Sequence, residues 1–166
     1  MSETSHIIHP FPPLFDENSD TLILGSFPSV KSREAMFFYG HPQNRFWKLI
    51  PLLYGEEIPV TIEEKTALVL RHHLALWDSI HSCTITGSSD SSVKDVVPND
   101  FSPILQNSRV NRVFCNGALS YNLYMKYSFP TTGIAAQKLP STSPANAAFS
   151  LSRLAEAWKV ITEKAP

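Results

Sequence analysis

The chain has almost no net charge: 14 lysines and arginines stand against 15 aspartates and glutamates in 166 residues, a formal charge of −1. That balance excludes a broad, charge-driven coat for nucleic acid and leaves room only for a local contact patch. Cysteine is scarce, with Cys83 and Cys115 alone. Two thiols cannot build a four-cysteine zinc site or hold an ordinary iron–sulfur cluster, and a reduced, cytoplasmic protein is the expectation. The six histidines, at 6, 9, 41, 72, 73 and 81, fall in no HExxH or other ligand spacing, so neither a metal nor an organic cofactor is expected. No apolar run approaches the roughly 20 residues that cross a bilayer. Met1–Pro13 lacks the basic and then apolar regions of a secretory signal, so no membrane contact is expected. Six glycines leave little room for a phosphate-cradling loop, and the P-loop, dinucleotide and serine-elbow patterns are all missing.

What is present is a soluble-domain composition, 43% hydrophobic and 17% charged. A chain of this length forms one domain and buries roughly 70% of its unfolded surface. Residues 1–18 are polar and proline-rich and read as an N-terminal arm; residues 19–166 read as the domain, expected to be monomeric. Short apolar runs predict strands at Thr21–Leu24, Leu74–Trp77, Val110–Cys115 and Gly133–Gln137. Helical spacing covers Asn44–Tyr54 (with Pro51 bending or ending it), Ile62–Arg71, a short piece from Asn99 to Gln106, and Ala118–Lys126. Ala147, Leu151, Leu154, Trp158 and Ile161 form one apolar stripe for a last helix, with Ser143 and Pro144 as its N-cap and first residue. Ser82–Ser92 reads as a solvated polar loop. His72-His73 sits at a helix end, where imidazoles suit the dipole. Strands alternating with helices predict a three-layer α/β/α sandwich around a mostly parallel four-stranded sheet.

In an open parallel sheet, ligands bind outside the carboxyl ends of the strands. Three loops meet that condition: Gly25–Ser29, Asn116-Gly117, and the LPSTSP loop at 139–144. Asp78 also ends a strand, where an aspartate serves a site or caps a turn.

Four segments, GSFPS at 25–29, YGHPQNRFW at 39–47, FCNG at 114–117 and LPSTSPAN at 139–146, resemble in order and spacing the uracil-DNA glycosylase superfamily. The GSFPS form without an acid, LALWDSI, and the serine-rich loop most resemble its deoxyinosine (hypoxanthine) branch. The resemblance spans about residues 20–160. It implies a monofunctional glycosylase that flips a deaminated base from DNA, hypoxanthine first and uracil second, and hydrolyses its N-glycosidic bond in base excision repair. Within the class, a G·U mismatch-specific uracil glycosylase is the alternative. Outside it stand a non-catalytic nucleic-acid-binding domain on the same fold, kept open by Phe27 in place of motif 1's polar residue, and a nucleosidase acting on free inosine.

The resemblance also distributes roles. Asn44 is the catalytic candidate, orienting water with its oxygen or holding the base with its NH₂; it would equally serve as a helix N-cap. Tyr39 would stack on the flipped base or belong to the core. Phe27 would wall the pocket or simply pack. The backbone N–H groups of Ser26, Phe27 and Tyr39 would meet the leaving base, where negative charge grows in a dissociative reaction. Asn116 would read the base edge or make the turn before Gly117. Leu139 and Pro140 would wedge into the gap left by the flipped base. Ser141, Thr142, Ser143 and Ser29 would hold phosphates, helped by the last helix's N-terminus, with Lys31 and Lys138 as a local positive patch. No lysine lies in a matched motif, so no Schiff-base step is indicated.

Overall fold

The computed structural model describes residues 4–163. Its centre is a parallel sheet of four strands: β2 (Thr21–Gly25), β3 (Leu74–Asp78), β6 (Arg112–Asn116) and β7 (Ala136–Leu139), in the spatial order β3-β2-β6-β7. Every residue of β2 and β3 is buried, as apolar runs covered on both faces require. Helices α1 (Val30–Ala35), α2 (Phe46–Tyr54), α3 (Ile62–Arg71), α4 (Ser102–Gln106), α5 (Ala118–Leu123), α6 (Phe129–Thr132) and α7 (Leu151–Trp158) flank this sheet. The expected α/β sandwich is therefore the observed fold.

A second sheet was not legible in the sequence. Strands β1 (Thr4–Ile8), β4 (Ile80–Thr86) and β5 (Lys94–Pro98) form an antiparallel sheet in the order β1-β4-β5. The expected 82–92 loop is thus strand as far as Thr86, and only its second half, from Gly87, leaves the sheet. β4 reads IHSCTIT, so small and hydroxylic side chains hide its buried positions from a hydropathy reading. The segment expected as an arm supplies β1, which pairs with β4 from Thr4↔Thr86 to Ile8↔Ser82. It also sends Phe11 and His9 into the interior and bridges Leu14 to Leu76. Its first three residues lie outside the described ones.

Helix boundaries also moved. α3 begins where a capping box closes it, with Thr61 Oγ1 accepting from the Glu64 N–H and the Glu64 carboxylate accepting from the Thr61 N–H. Pro51 lies inside α2, which runs on to a left-handed Gly55. α5 continues through a π turn, Tyr124–Ser128, into α6. The largest shift is at the last helix: α7 starts at Leu151, capped by Ser150, whose Oγ accepts from the Arg153 N–H at 3.2 Å. Ser143 and Pro144 do not open it, and Ala147 is exposed outside it. The apolar stripe itself holds from Leu151 onward, with Leu154, Trp158 and Ile161 buried.

Candidate active site

β2, β3 and β6 end side by side. Gly25 pairs with Asp78, and Leu24 with Cys115, so Asp78, Gly25 and Asn116 stand in one row at the carboxyl edge of the sheet. Above that row opens a cavity of about 500 Å³, the size of a pocket for one small ligand. Gly25 is required there: a Cβ on it would lie 2.5 Å from Asp78 Oδ1 and 3.3 Å from Tyr39 Oη.

The cavity brings together most of the sequence-predicted site. Ser26, Phe27, Ser29, Tyr39, Asn44 and Asn116 line it, as do Ser141, Thr142 and Ser143. The two amides and Thr142 form one directed hydrogen-bond network. Asn44 Oδ1 accepts from the Phe46 N–H (2.9 Å) and from the Thr142 hydroxyl (2.8 Å). Thr142 Oγ1 in turn accepts from Asn116 Nδ2 (3.0 Å), and the Thr142 N–H donates to Asn116 Oδ1 (2.9 Å). Backbone N–H groups can only donate, so both amides are fixed in orientation. Asn44 is therefore not the helix N-cap, a place that Arg45 takes; its oxygen makes an Asx turn just before the helix, and among the described residues its Nδ2 has no partner. Among the described residues Asn116 retains one N–H and one lone pair.

Arg45 holds the opposite wall and was not singled out in the sequence. Its guanidinium donates to the carbonyls of Ser143 (2.9 Å), Asn146 (3.0 Å) and Phe149, and its backbone N–H to that of Thr142 (3.1 Å). One half-buried fork thus fixes the course of the 142–149 loop. The only sequence signal was its place inside HPQNRFW. Gly117 completes the hinge: it has φ 99°, and a Cβ there would lie 3.3 Å from Ser141 Cβ.

Three site assignments fail. Leu139 is 3% exposed at the end of β7, paired with Asn116, so its side chain belongs to the core and cannot wedge into DNA. Thr142 is fully buried and its hydroxyl is committed to the two amides, so it cannot contact phosphate. The helix N-terminus expected beside them lies at Leu151. Pro140 is half-buried and its carbonyl accepts from Trp158 Nε1 (2.8 Å). Pro140, Leu139 and Lys138 line a second groove that shares Ser141, Ser143, Ala145 and Asp90 with the cavity. Ser29 caps α1: its Oγ accepts from the Ser32 N–H at 3.1 Å and donates to Ser32 Oγ at 3.1 Å, so it has no proton left for the phosphate contact expected of it. Lys31 faces Glu34 at 3.5 Å, which weakens its share of the positive patch.

Phe27 does both things weighed for it. It lines the cavity and packs against Ile80, Cys83 and Ile85. Tyr39 has a left-handed backbone, φ 53°, and stacks one ring face on Phe46 at 4.0 Å between centroids. Its hydroxyl is buried with no hydrogen-bond partner among the described residues. Burial, reinforced by the Asp78 charge, pushes the phenol well above its usual range, so it remains a neutral donor. No group of three or more potential metal ligands occurs among the described residues, and no described helix is long and apolar enough to cross a membrane.

A nucleoside-sized cavity at the ends of parallel strands, lined by oriented amides and hydroxyls, defines a site for a polar planar ligand. The fold is shared with the NMR solution structure of a candidate uracil DNA glycosylase from Methanosarcina acetivorans: TM-score 0.79, 33% identity, covering 94% of this chain and 97% of that one. No model of a known protein family matches the chain. A protein named hypoxanthine DNA glycosylase from Methanosarcina acetivorans is 36% identical over 155 residues, 91% of this chain and 95% of that protein. One of the same name from Methanosarcina barkeri is 37% identical over 93 residues, 55% of this chain and 59% of that protein. The chain belongs to the hypoxanthine DNA glycosylase family.

Proposed function

We propose that this protein excises hypoxanthine from DNA, and uracil second, as a monofunctional glycosylase that yields a free base and an abasic site. The observation that carries the mechanism is the Asn44–Thr142–Asn116 network above Gly25. With both lone pairs of Asn44 Oδ1 engaged, its free end is a donor. Asn44 Nδ2 therefore stabilises the leaving base, where negative charge develops as the C1′–N bond breaks, rather than activating water as a base. A dissociative transition state needs only a weakly activated water at the sugar. The backbone N–H groups of Ser26, Phe27 and Tyr39 are further donors at that rim.

The flipped base enters over Gly25, and the face of Tyr39 not covered by Phe46 is its stacking surface. Asn116 meets a carbonyl of the base with its remaining N–H. Ser141 and Ser143 contact phosphates from the rim. With Leu139 in the core, filling the gap in the duplex falls to exposed Pro144 and Ala145, which border the cavity.

Single-turnover excision on duplexes carrying hypoxanthine, uracil, xanthine or thymine, followed by alkaline cleavage, tests this reading. Preference for hypoxanthine supports it. Cleavage of uracil alone keeps the chemistry and overturns the substrate. Binding without cleavage of any duplex overturns the enzyme.

A further inference from the structure

Asp78 is unused in that scheme, yet its carboxylate lies at the floor of the cavity, directly over Gly25. It does not cap a turn. Among the described residues its side chain has one hydrogen-bond partner, His9 Nε2, at 2.6 Å. The pair is almost fully enclosed, with His9 1% and Asp78 6% exposed at the side chain. His9 is held between the rings of Trp77 (4.4 Å), Phe11 (4.6 Å) and Phe27 (5.8 Å), and its Nδ1 is buried without a partner among the described residues. Leaving a buried ring nitrogen unsatisfied costs stability, so the arrangement is poor as a purely structural device.

Its effect on Asp78 is specific. The proton shared with His9 lies on the Oδ2 side, whether the histidine donates to a carboxylate or accepts from a carboxylic acid. In both cases Oδ1, the oxygen over Gly25, is an acceptor only. Resting on the glycosylase reading above, we propose that Asp78, locked by His9, selects bases that carry a ring N–H next to a carbonyl and rejects their amino-bearing parents. Adenine N1 and cytosine N3 present lone pairs; hydrolytic deamination places a hydrogen on each, in hypoxanthine and uracil. Asp78 Oδ1 accepts that hydrogen, while Asn116, across Gly25 at two strand spacings or roughly 10 Å, donates to the carbonyl. Undamaged adenine or cytosine would set lone pair against lone pair at the floor. Sites built on such a hydrogen bond reject the analogue lacking it by roughly 10⁴–10⁵. Asp78 is thus a specificity residue and His9 its positioning residue.

The test measures single-turnover hypoxanthine excision and its inhibition by free hypoxanthine, uracil, adenine and cytosine. With the native protein, hypoxanthine and uracil inhibit and adenine and cytosine do not; equal inhibition by adenine overturns the proposal without any variant. Asp78→Asn lowers excision roughly 10- to 100-fold, the loss of one charge-assisted hydrogen bond, and brings adenine inhibition to the level of hypoxanthine. His9→Phe, which keeps the aromatic packing, relaxes the same selectivity. An Asp78→Asn protein with native rate and selectivity overturns the role of Asp78 while leaving the glycosylase reading intact. Absence of hypoxanthine excision by the native protein overturns both.

Discussion

Thr142→Val is the substitution that most directly probes the site. Valine keeps the buried shape and removes only the hydroxyl, which donates to Asn44 Oδ1 at 2.8 Å and accepts from Asn116 Nδ2 at 3.0 Å. Two hydrogen bonds at about 1 kcal/mol each, with part of the cost of an unpaired N–H, give about 2–3 kcal/mol. For a domain of this size that lowers Tm by roughly 4–12 °C. The catalytic loss is of a different kind. Each amide loses one of its two partners and keeps only a backbone N–H, and misplacement of reacting groups on this scale costs about 10²-fold in rate. The assay pairs thermal melting with single-turnover excision of hypoxanthine, and Thr142→Ser serves as control because it retains the hydroxyl. The serine variant should keep a near-native rate. If valine excises at the native rate, or serine is as slow as valine, the network does not position the amides. A DNA-binding titration separates the rival role: removing a phosphate hydrogen bond weakens binding about equally for every sequence, whereas removing a buried strut leaves binding unchanged.

Asn44→Ala should slow excision by roughly 10²–10³, the scale for losing one preorganised donor to developing negative charge. Asn44→Asp should be no better, because it replaces the free Nδ2 donor with an acceptor; a fast aspartate variant would mean that Asn44 works on water instead. Leu139→Ala should destabilise by about 2–5 kcal/mol, as a core cavity does, seen as a lower denaturation midpoint; unchanged stability with failed base flipping would restore the wedge. Glu56 is held down to about 2 from 4.5, first by hydrogen bonds from Arg71 and then from His72. Its folded-state value lies below the unfolded one, so its stabilisation is present above about 4.5 and lost as pH falls through about 2. The difference in Tm between native protein and Glu56→Gln should therefore shrink over that acid range, and a difference independent of pH would contradict the pairing.

The central sheet was legible in the sequence because its strands are buried on both faces, so TLIL, LALW and VFC read as uninterrupted apolar runs. The four motifs were legible because three combine a glycine or proline turn with a strand end, and YGHPQNRFW combines one with the start of α2. What the sequence could not carry was partnership. β4 conceals its buried face behind serine, threonine and cysteine, and β1 becomes a strand only where β4 offers it a ladder. Leu139 and Thr142 sit in a motif whose exposed appearance comes from its serines and prolines. Whether each side chain turns inward was decided by β7 docking on β6 and by the Arg45 fork that bends the loop. Asn44 was a cap or a catalyst on paper, and one fold contact, the Thr142 hydroxyl, engages its oxygen and frees its nitrogen. His9 and Asp78 lie 69 residues apart in sequence. No local pattern links an imidazole in a proline-rich leader to a strand-end carboxylate. Only the closure of the N-terminal segment over β3 puts them within a hydrogen bond, because burial leaves each no other partner.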